Sequence, residues 1–388
     1  MTSIPILDLT TQYRSIQADV EAAVLDVLQS GRYIKGEIVS QFEQELAQYV
    51  GSPHCISCNS GTDALYLALR AMNIGPGDEI ITSPFTFIAT AEVISALGAT
   101  PVFVDIDIDT FNLDLKLIAE AITERTRAII PVHIFGHPVN MPELMAIAKT
   151  YQLWVIEDCA QAIGASWDHQ KVGSFGDIGC FSFYPTKNLG ACGDGGAITV
   201  KDEAIAHKIR TLADHGRTHG YYHEAIGVNS RLDAIQAAIL RIKLQHLEQW
   251  NQQRRAVAQH YYEHLSNCSN VVVPTSSSFG QCVWHQYTLR IVPEDKVTHD
   301  VVNVRDRIKH YLNENNIGSM VYYPLPLHQQ PVYSKQLSSI HLPIAEQAAT
   351  QVLSLPMFPE LTPEQQDTIV HTLKSAIAYV CPDCQAIA

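Results

Sequence analysis

One lysine of the sequence lies in a setting that suits covalent chemistry. Lys187 follows a strand-like apolar run in the segment Ser182-Phe-Tyr-Pro-Thr-Lys187-Asn-Leu-Gly190, and the glycine-rich run Gly193-Asp-Gly-Gly196 comes directly after it. A lysine that forms a Schiff base must stand on rigid backbone and be partly desolvated. Glycines nearby let the backbone approach a flat ring closely. The same residues also fit a surface lysine in a turn.

An aspartate follows another apolar run, Val155-Ile-Glu-Asp158. Asp158 would lie just past the carboxyl end of a buried strand, which is where open α/β sheets place their ligands. A carboxylate there can keep a pyridine nitrogen protonated, so that the ring accepts electrons. Aspartate also caps helix N-termini, and one residue can fill both roles.

Two further segments predict a phosphate site and a flat apolar surface. The run Asn59-Ser-Gly61-Thr62 opens an apolar helix, and helix N-termini bind phosphate through their free N–H groups. The junction Pro84-Phe-Thr-Phe87 holds two aromatics, one of which could stack on a ring, although a core phenylalanine fits equally well. The four segments together predict one site at one edge of a sheet.

The elements that must position these residues alternate along the first 200 residues. The patterns predict strands at 79–83, 101–105, 128–133, 153–157, 177–183 and 197–200, and helices at 16–28, 86–97, 115–122 and 141–151. Continuous apolar strands between helices indicate a sheet covered on both faces. We therefore predict an α/β protein. Its large domain, residues 1–250, is a three-layer α/β/α unit with a mostly parallel sheet, and residues 251–388 form a smaller C-terminal α/β domain beyond a long helix from Arg231 to about Leu265.

Composition narrows the class of protein. With 46% hydrophobic residues in 388, the chain can bury a large core. A net charge of −14 disfavours nucleic acid and anionic membranes as partners. The N-terminus resembles no secretory signal, and no apolar run is long enough to span a bilayer. Nine cysteines then suggest reduced thiols in a cytoplasm. Cys381 and Cys384 could clip a metal, but an inert tail is the simpler interpretation, and we assign no metal site.

These motifs resemble those of the DegT/DnrJ/EryC1/StrS family of sugar aminotransferases, pyridoxal-phosphate enzymes with the fold-type I, aspartate-aminotransferase-like architecture. The resemblance covers nearly the whole chain. Beyond the segments above, it includes Ser30–Gly36, Pro131–Gly136, Gly227–Ala238 and Tyr323–His328.

The resemblance implies that pyridoxal 5′-phosphate is the cofactor and that Lys187 binds it and later moves a proton between cofactor and substrate carbons. Asp158 would pair with the pyridine nitrogen. The other implied cofactor contacts are Gly61, Thr62 and Ser182 at the phosphate, Phe87 on the ring, Gln161 beside the ring, and Asn229, which would reach the phosphate across a homodimer interface. Candidate substrate contacts are Tyr33, His133, Tyr323 and His328, although His133 also fits a satisfied core histidine.

The implied reaction moves an amino group, from glutamate, to a UDP- or dTDP-linked keto sugar in amino-sugar or polysaccharide biosynthesis. The stretch His215–His223 favours 3-keto sugars. Alternatives with the same fold are a keto-sugar dehydratase and an amino-acid aminotransferase. The dehydratases of the family have His in place of the lysine, so Lys187 weighs against that chemistry. A non-catalytic cofactor-binding regulator is a further alternative, which the intact lysine and the lack of a recognisable DNA-binding extension disfavour.

Overall fold

The computed structural model describes residues 3–275, 279–293 and 301–381. Its α-helices are α1 (Leu9–Ser15), α2 (Gln17–Ser30), α3 (Glu37–Val50), α4 (Gly61–Ala71), α5 (Ala89–Ala96), α6 (Leu115–Ala121), α7 (Met141–Tyr151), α8 (Glu203–Ala213), α9 (Ala234–Leu265), α10 (Val301–Glu314), α11 (Pro331–Ser334), α12 (Pro343–Gln351) and α13 (Pro363–Val380). Its strands are β1 (His54–Cys58), β2 (Glu79–Thr82), β3 (Thr100–Phe103), β4 (Thr126–Ile130), β5 (Trp154–Asp158), β6 (Ser166–Trp167), β7 (Gln170–Lys171), β8 (Ile178–Ser182), β9 (Gly196–Val200), β10 (Arg217–His219), β11 (Tyr222–His223), β12 (Val271–Val272), β13 (Gly280–Gln281), β14 (Tyr287–Ile291) and β15 (Val352–Leu355).

A seven-stranded sheet in the order β1-β9-β8-β5-β4-β2-β3 forms the centre of the large unit. Its strands run parallel except β9, which pairs antiparallel with both β8 and β1. The prediction of a mostly parallel sheet in an α/β fold is confirmed.

Alternate residues of the strands face opposite helical layers. Ile156 of β5 and Ile178 of β8 lie in one buried cluster with residues of α4, α5 and α8. Val155 lies on the other face, in a cluster with α6 and α7, and Phe181 lies on that face against α3 and α9. This alternation is what a sheet buried on both faces requires, and it confirms the three-layer arrangement.

A smaller antiparallel sheet, β12-β14-β15, packs with α10 and α13 around a separate apolar cluster. Helix α9 joins the two regions. Its first half, including Leu240, packs against the large sheet, and its second half, including Tyr261, packs in the second cluster. The predicted domain boundary between residues 250 and 251 falls inside this helix, and it stays a prediction. Among the described helices, none has the length and apolar character needed to cross a membrane.

Candidate active site

The carboxyl ends of two neighbouring strands bring the lysine and aspartate segments together. Strands β5 and β8 are parallel, with Asp158 paired to Cys180. Asp158 ends β5 and Ser182 ends β8. Lys187 follows in the next loop, where its backbone N–H donates to the Tyr184 carbonyl at 2.8 Å. The sheet thus places these side chains at the edge where α/β folds bind ligands.

The loop around Lys187 is held rigidly. Asn188 is buried, and its side-chain nitrogen donates to Asn251 Oδ1 on α9 at 2.9 Å. A Cβ added at Gly190 would collide with the carbonyl of Pro185, so the loop closes only because that position is glycine. The backbone that carries the lysine is therefore fixed to the long helix.

Lys187 is half-buried, and its burial has a chemical consequence. Burial lowers the pKa of its amine to about 8, and the nearby Asp158 carboxylate opposes that shift. An amine with this pKa has a substantial neutral fraction near neutral pH, which a nucleophile needs.

The sequence interpretation missed His285, which lies near enough to Lys187 for the two charges to interact. His285 Nδ1 is 3.2 Å from Asn188 Oδ1, and the ring is buried. Burial, aided by the positive charges of Lys187 and Arg254, lowers the pKa of His285 well below its usual range. The imidazole therefore stays neutral beside the lysine. Nothing in its local sequence distinguishes it from the other histidines, because its partner Asn188 is distant along the chain.

Asp158 lies in a pocket with few donors. The side chain is 4% exposed, and one carboxylate oxygen accepts from the Thr90 hydroxyl at 2.8 Å. The other oxygen accepts from the Ala160 N–H at 3.1 Å. Burial raises the pKa of Asp158 despite these bonds. The sequence interpretation missed Thr90, because a buried helical threonine has no chemical signature of its own.

The start of α4 forms a cradle against the end of β8. Ser60 caps the helix, and its hydroxyl accepts from the Asp63 N–H at 3.1 Å. Gly61 and Thr62 are the first two helical residues, so their N–H groups have no preceding turn to bond to. A Cβ on Gly61 would lie 2.6 Å from the Ser182 Cβ. Only glycine lets the helix terminus approach the strand this closely.

Asn229 is exposed and lies in a segment tied to the same cradle. The hydroxyl of its neighbour Ser230 donates to Asp63 at 2.7 Å and accepts from the Asn59 N–H at 3.1 Å. Asn229 itself bridges to Asp214 through the backbone. The reach of Asn229 into a second subunit stays a prediction.

The two phenylalanines after β2 have different surroundings. Phe85 is fully buried in an aromatic group with Phe111, Phe135 and Tyr323. Phe87 is 57% exposed, just before the helix that supplies Thr90 to Asp158. Phe85 is thus the core residue of the pair, and Phe87 is the one available to stack on a ring.

Gln161 uses its amide to join Tyr323, a predicted substrate contact, to the backbone of Phe135. Its oxygen accepts from the Phe135 N–H at 2.7 Å, and its nitrogen donates to the Tyr323 hydroxyl at 3.1 Å. Burial raises the pKa of Tyr323. A neutral phenol and an amide are therefore held side by side.

His133 is completely buried, with both ring nitrogens bonded inside the protein. Val139 N–H donates to Nδ1 at 3.0 Å, so Nε2 bears the proton and donates to Glu157 at 3.1 Å. These contacts leave no ring nitrogen for a substrate and favour the core-histidine alternative.

His328 and Tyr33 lie in two other environments. His328 is buried, and its Nε2 donates to Glu346 at 3.0 Å. Its Nδ1 has no partner among the residues that the structure describes. Tyr33 is 45% exposed and donates to the Leu28 carbonyl at 3.3 Å. No described contact joins Tyr33 to the lysine or the aspartate, so its role as a substrate contact stays a prediction.

The arrangement fits pyridoxal phosphate. The helix terminus at Gly61 and Thr62 suits a dianionic phosphate, the exposed face of Phe87 suits a flat ring, and Asp158 suits a protonated pyridine nitrogen. Lys187 would hold the aldehyde carbon. These features define the class of a lysine-dependent cofactor enzyme.

Comparisons with known proteins identify the family. Residues 14–374 match the DegT/DnrJ/EryC1/StrS aminotransferase family. The chain is 46% identical to a pleiotropic regulatory protein of Geobacillus stearothermophilus, over 96% of this chain and 98% of the relative. It is 45% identical to a UDP-N-acetyl-3-dehydro-α-D-glucosamine 3-aminotransferase of Acidithiobacillus ferrooxidans, over 97% and 98%. The crystal structure of Streptomyces venezuelae DesV with a ketimine intermediate superposes with a TM-score of 0.91 at 40% identity, over 97% of this chain and 98% of DesV. The chain belongs to the DegT/DnrJ/EryC1/StrS aminotransferase family, and the predicted resemblance is confirmed.

Proposed function

We propose that this chain is a pyridoxal-phosphate-dependent aminotransferase that moves an amino group from glutamate to the C-3 carbon of a nucleotide-linked keto sugar. The observation that carries the proposal is the half-buried Lys187, with its pKa lowered to about 8, beside the buried Asp158. When bound, the cofactor supplies an electron sink for the carbon that loses a proton.

The chain's own residues divide the work. The Asp158 carboxylate holds a proton at the pyridine nitrogen, and Thr90 fixes its orientation. Gly61, Thr62 and Ser182 bind the phosphate. Lys187 Nζ takes a proton from the carbon of the amino donor in the first half-reaction and delivers one to the sugar carbon in the second.

The choice of substrate rests on relatives. The name of the Acidithiobacillus protein specifies a 3-keto UDP sugar, and another relative, 41% identical, is a dTDP-3-amino-3,4,6-trideoxy-α-D-glucose transaminase of Streptomyces venezuelae. We propose a homodimer in which Asn229 completes the partner's phosphate site. The family resemblance suggests this role, and Asn229 is exposed in this chain and therefore accessible to a second subunit. We also keep the cytoplasm as the expected compartment.

A spectroscopic titration tests the proposal. The cofactor-loaded protein is mixed with a panel of UDP- and dTDP-linked 3-amino and 4-amino sugars, so that the second half-reaction runs backwards. We expect one 3-amino compound to convert the lysine-bound absorption band to that of the amine form of the cofactor. If only a 4-amino sugar converted the band, the aminated carbon would be C-4 and not C-3. If no sugar converted the band but the protein transferred an amino group from an amino acid to a keto acid, an amino-acid aminotransferase would be favoured.

A regulatory role is the second candidate, since one similar protein is named as a regulator. The lowered pKa of Lys187 favours chemistry over binding alone. A lysine-bound cofactor that reacts with no amino donor would favour the regulatory role instead.

A further inference from the structure

Three side chains of metal-ligand type meet where α9 packs beside α13, outside the site described above. His260 and His264 stand one turn apart on α9, and Asp367 stands near the start of α13. One nitrogen of each histidine and one carboxylate oxygen all lie within 4.8 Å of one another. A spacing of four residues puts both imidazoles on one side of the helix.

The distance between the first two ligands suits a shared ion. His260 Nε2 lies 3.1 Å from Asp367 Oδ1. In a tetrahedral zinc site, bond lengths of about 2.0–2.1 Å set neighbouring ligand atoms about 3.4 Å apart. His260 Nε2 is buried and makes no hydrogen bond to any described residue, although the carboxylate faces it. A cation between the two atoms would satisfy both.

The third ligand is already oriented. His264 Nδ1 lies 2.9 Å from the His260 carbonyl oxygen, so Nδ1–H donates and the lone pair of Nε2 is left for an ion. A backbone bond of this kind typically fixes the ring of a metal-binding histidine. The two rings stack with centroids 4.2 Å apart, which keeps their edges on the same side of α9.

A second group of metal-ligand residues differs because the protein itself satisfies its histidine and its carboxylate. His133, Glu157 and Cys159 also lie close together and are fully buried. Both nitrogens of His133 are bonded, and Glu157 accepts from three backbone N–H groups as well. The histidine and the carboxylate of that cluster are already satisfied by the protein. In contrast, neither Nε2 of His260 nor Nε2 of His264 makes a hydrogen bond to a residue that the structure describes.

We propose that His260, His264 and Asp367 bind one divalent transition-metal ion, such as Zn²⁺, with water completing the coordination. Two imidazoles and one carboxylate suit Zn²⁺, Ni²⁺ or Cu²⁺ better than Ca²⁺ or Mg²⁺, which prefer oxygen ligands. The ion links α9 to α13, two helices that share the apolar cluster of the small sheet. It is a structural clip and takes no part in amino transfer.

Calorimetric titration of the cofactor-loaded, untagged, chelator-treated full-length protein with Zn²⁺ tests the site. His264→Ala removes one ligand at an exposed position. His310→Ala is the matched control, because that exposed histidine pairs with Glu314 on α10 at the same four-residue spacing and is in no described three-ligand cluster. We expect His264→Ala to lose one site per chain or to weaken it at least about tenfold. His310→Ala should bind like the parent.

Thermal unfolding gives a second measurement. At one zinc concentration, Zn²⁺ should raise the unfolding temperature of the parent and of His310→Ala clearly more than that of His264→Ala or Asp367→Asn. Equal zinc stoichiometry and affinity in the parent and His264→Ala would overturn the proposal, since binding would then reside at other groups such as the cysteines. Loss of binding in His310→Ala would overturn it as well.

Discussion

Two adjacent carboxylates at the end of β5 serve two different regions. Glu157 points to a fully buried region where it accepts from His133 and from three backbone N–H groups, those of Gly173, Phe175 and Gly176. Asp158 points to the carboxyl edge, where it accepts from Thr90 and Ala160. One carboxylate is saturated by the protein, and the other keeps acceptor capacity for a ligand.

The difference teaches how a buried acid is recognised as structural or functional. Successive strand residues face opposite sides, so neighbours in sequence can have unrelated roles. A saturated carboxylate stabilises the fold by joining loops to the sheet. A carboxylate with few donors is costly to bury and is retained where a cationic partner arrives.

The largest expected effect is a loss of turnover, and it comes from Lys187, which lies near Asp158 at the carboxyl edge of the sheet. Lys187→Ala should lower turnover by about 10³-fold or more, because no other group moves the proton. Steady-state kinetics with the amino sugar that the spectroscopic titration identifies measures the loss, and circular dichroism should show an intact fold. Ordinary turnover by this variant would contradict the assigned role.

Asp158→Asn sharpens the contrast. The amide keeps the size of the side chain: its oxygen can accept from the Ala160 N–H, and its NH₂ can donate to the Thr90 hydroxyl. It has no negative charge for a pyridine nitrogen. We expect turnover to fall roughly 10²–10³-fold while the unfolding temperature of the cofactor-free protein changes little. The described residues directly after β5 form no helix, so the helix-capping alternative is wrong, and Asp158 instead accepts from Ala160 in a turn. If stability and activity fell together, holding this turn would be the main role of Asp158.

Glu157→Gln should show the reverse. The new amide NH₂ would face backbone donors, which costs about 2–4 kcal/mol of unfolding free energy. Urea denaturation measures it, with exposed Glu120→Gln on α6 as the control. Turnover of the folded fraction should stay close to that of the parent. An unchanged unfolding free energy would contradict the structural role of Glu157.

The smallest expected effect is a pH shift. Because burial lowers the pKa of Lys187 to about 8, its neutral fraction rises through pH 8 and not through the usual lysine range. Capture of pyridoxal phosphate by the cofactor-free protein, trapped with borohydride, should accelerate roughly tenfold from pH 7 to 9 and then level off. In Asp158→Asn the rise should occur at lower pH, since the carboxylate raises this pKa. A rate that climbs steadily beyond pH 10 would argue against the lowered pKa.

The sequence predicted the central strands well, because their apolar runs are long and continuous. Two of the larger differences between the predicted and observed boundaries are at Ile130 and Ala89. The strand predicted at 128–133 ends at Ile130, because Pro131 has no N–H for the ladder. The helix predicted from Thr86 begins at Ala89, which leaves Phe87 outside it.

The site was predictable where a motif is contiguous. The segments around Lys187, Asp158 and Gly61 each contain their own signal, and the structure places them at one edge. The sequence could not separate the interpretations of His133, whose partners Val139 and Glu157 are joined to it only by folding. The contact between Thr90 and Asp158 was not predictable either, because the two residues are 68 positions apart and only folding brings them together.

Helix α9 limits how the length of this chain can vary. It has 32 residues, contacts the large sheet with its first half and buries Tyr261 beside the small sheet with its second. Each inserted residue would turn everything beyond it by about 100° and advance it by about 1.5 Å. A single insertion or deletion there would take one set of apolar residues off its cluster. Length changes should therefore be tolerated in the loops on either side of the helix and excluded within it.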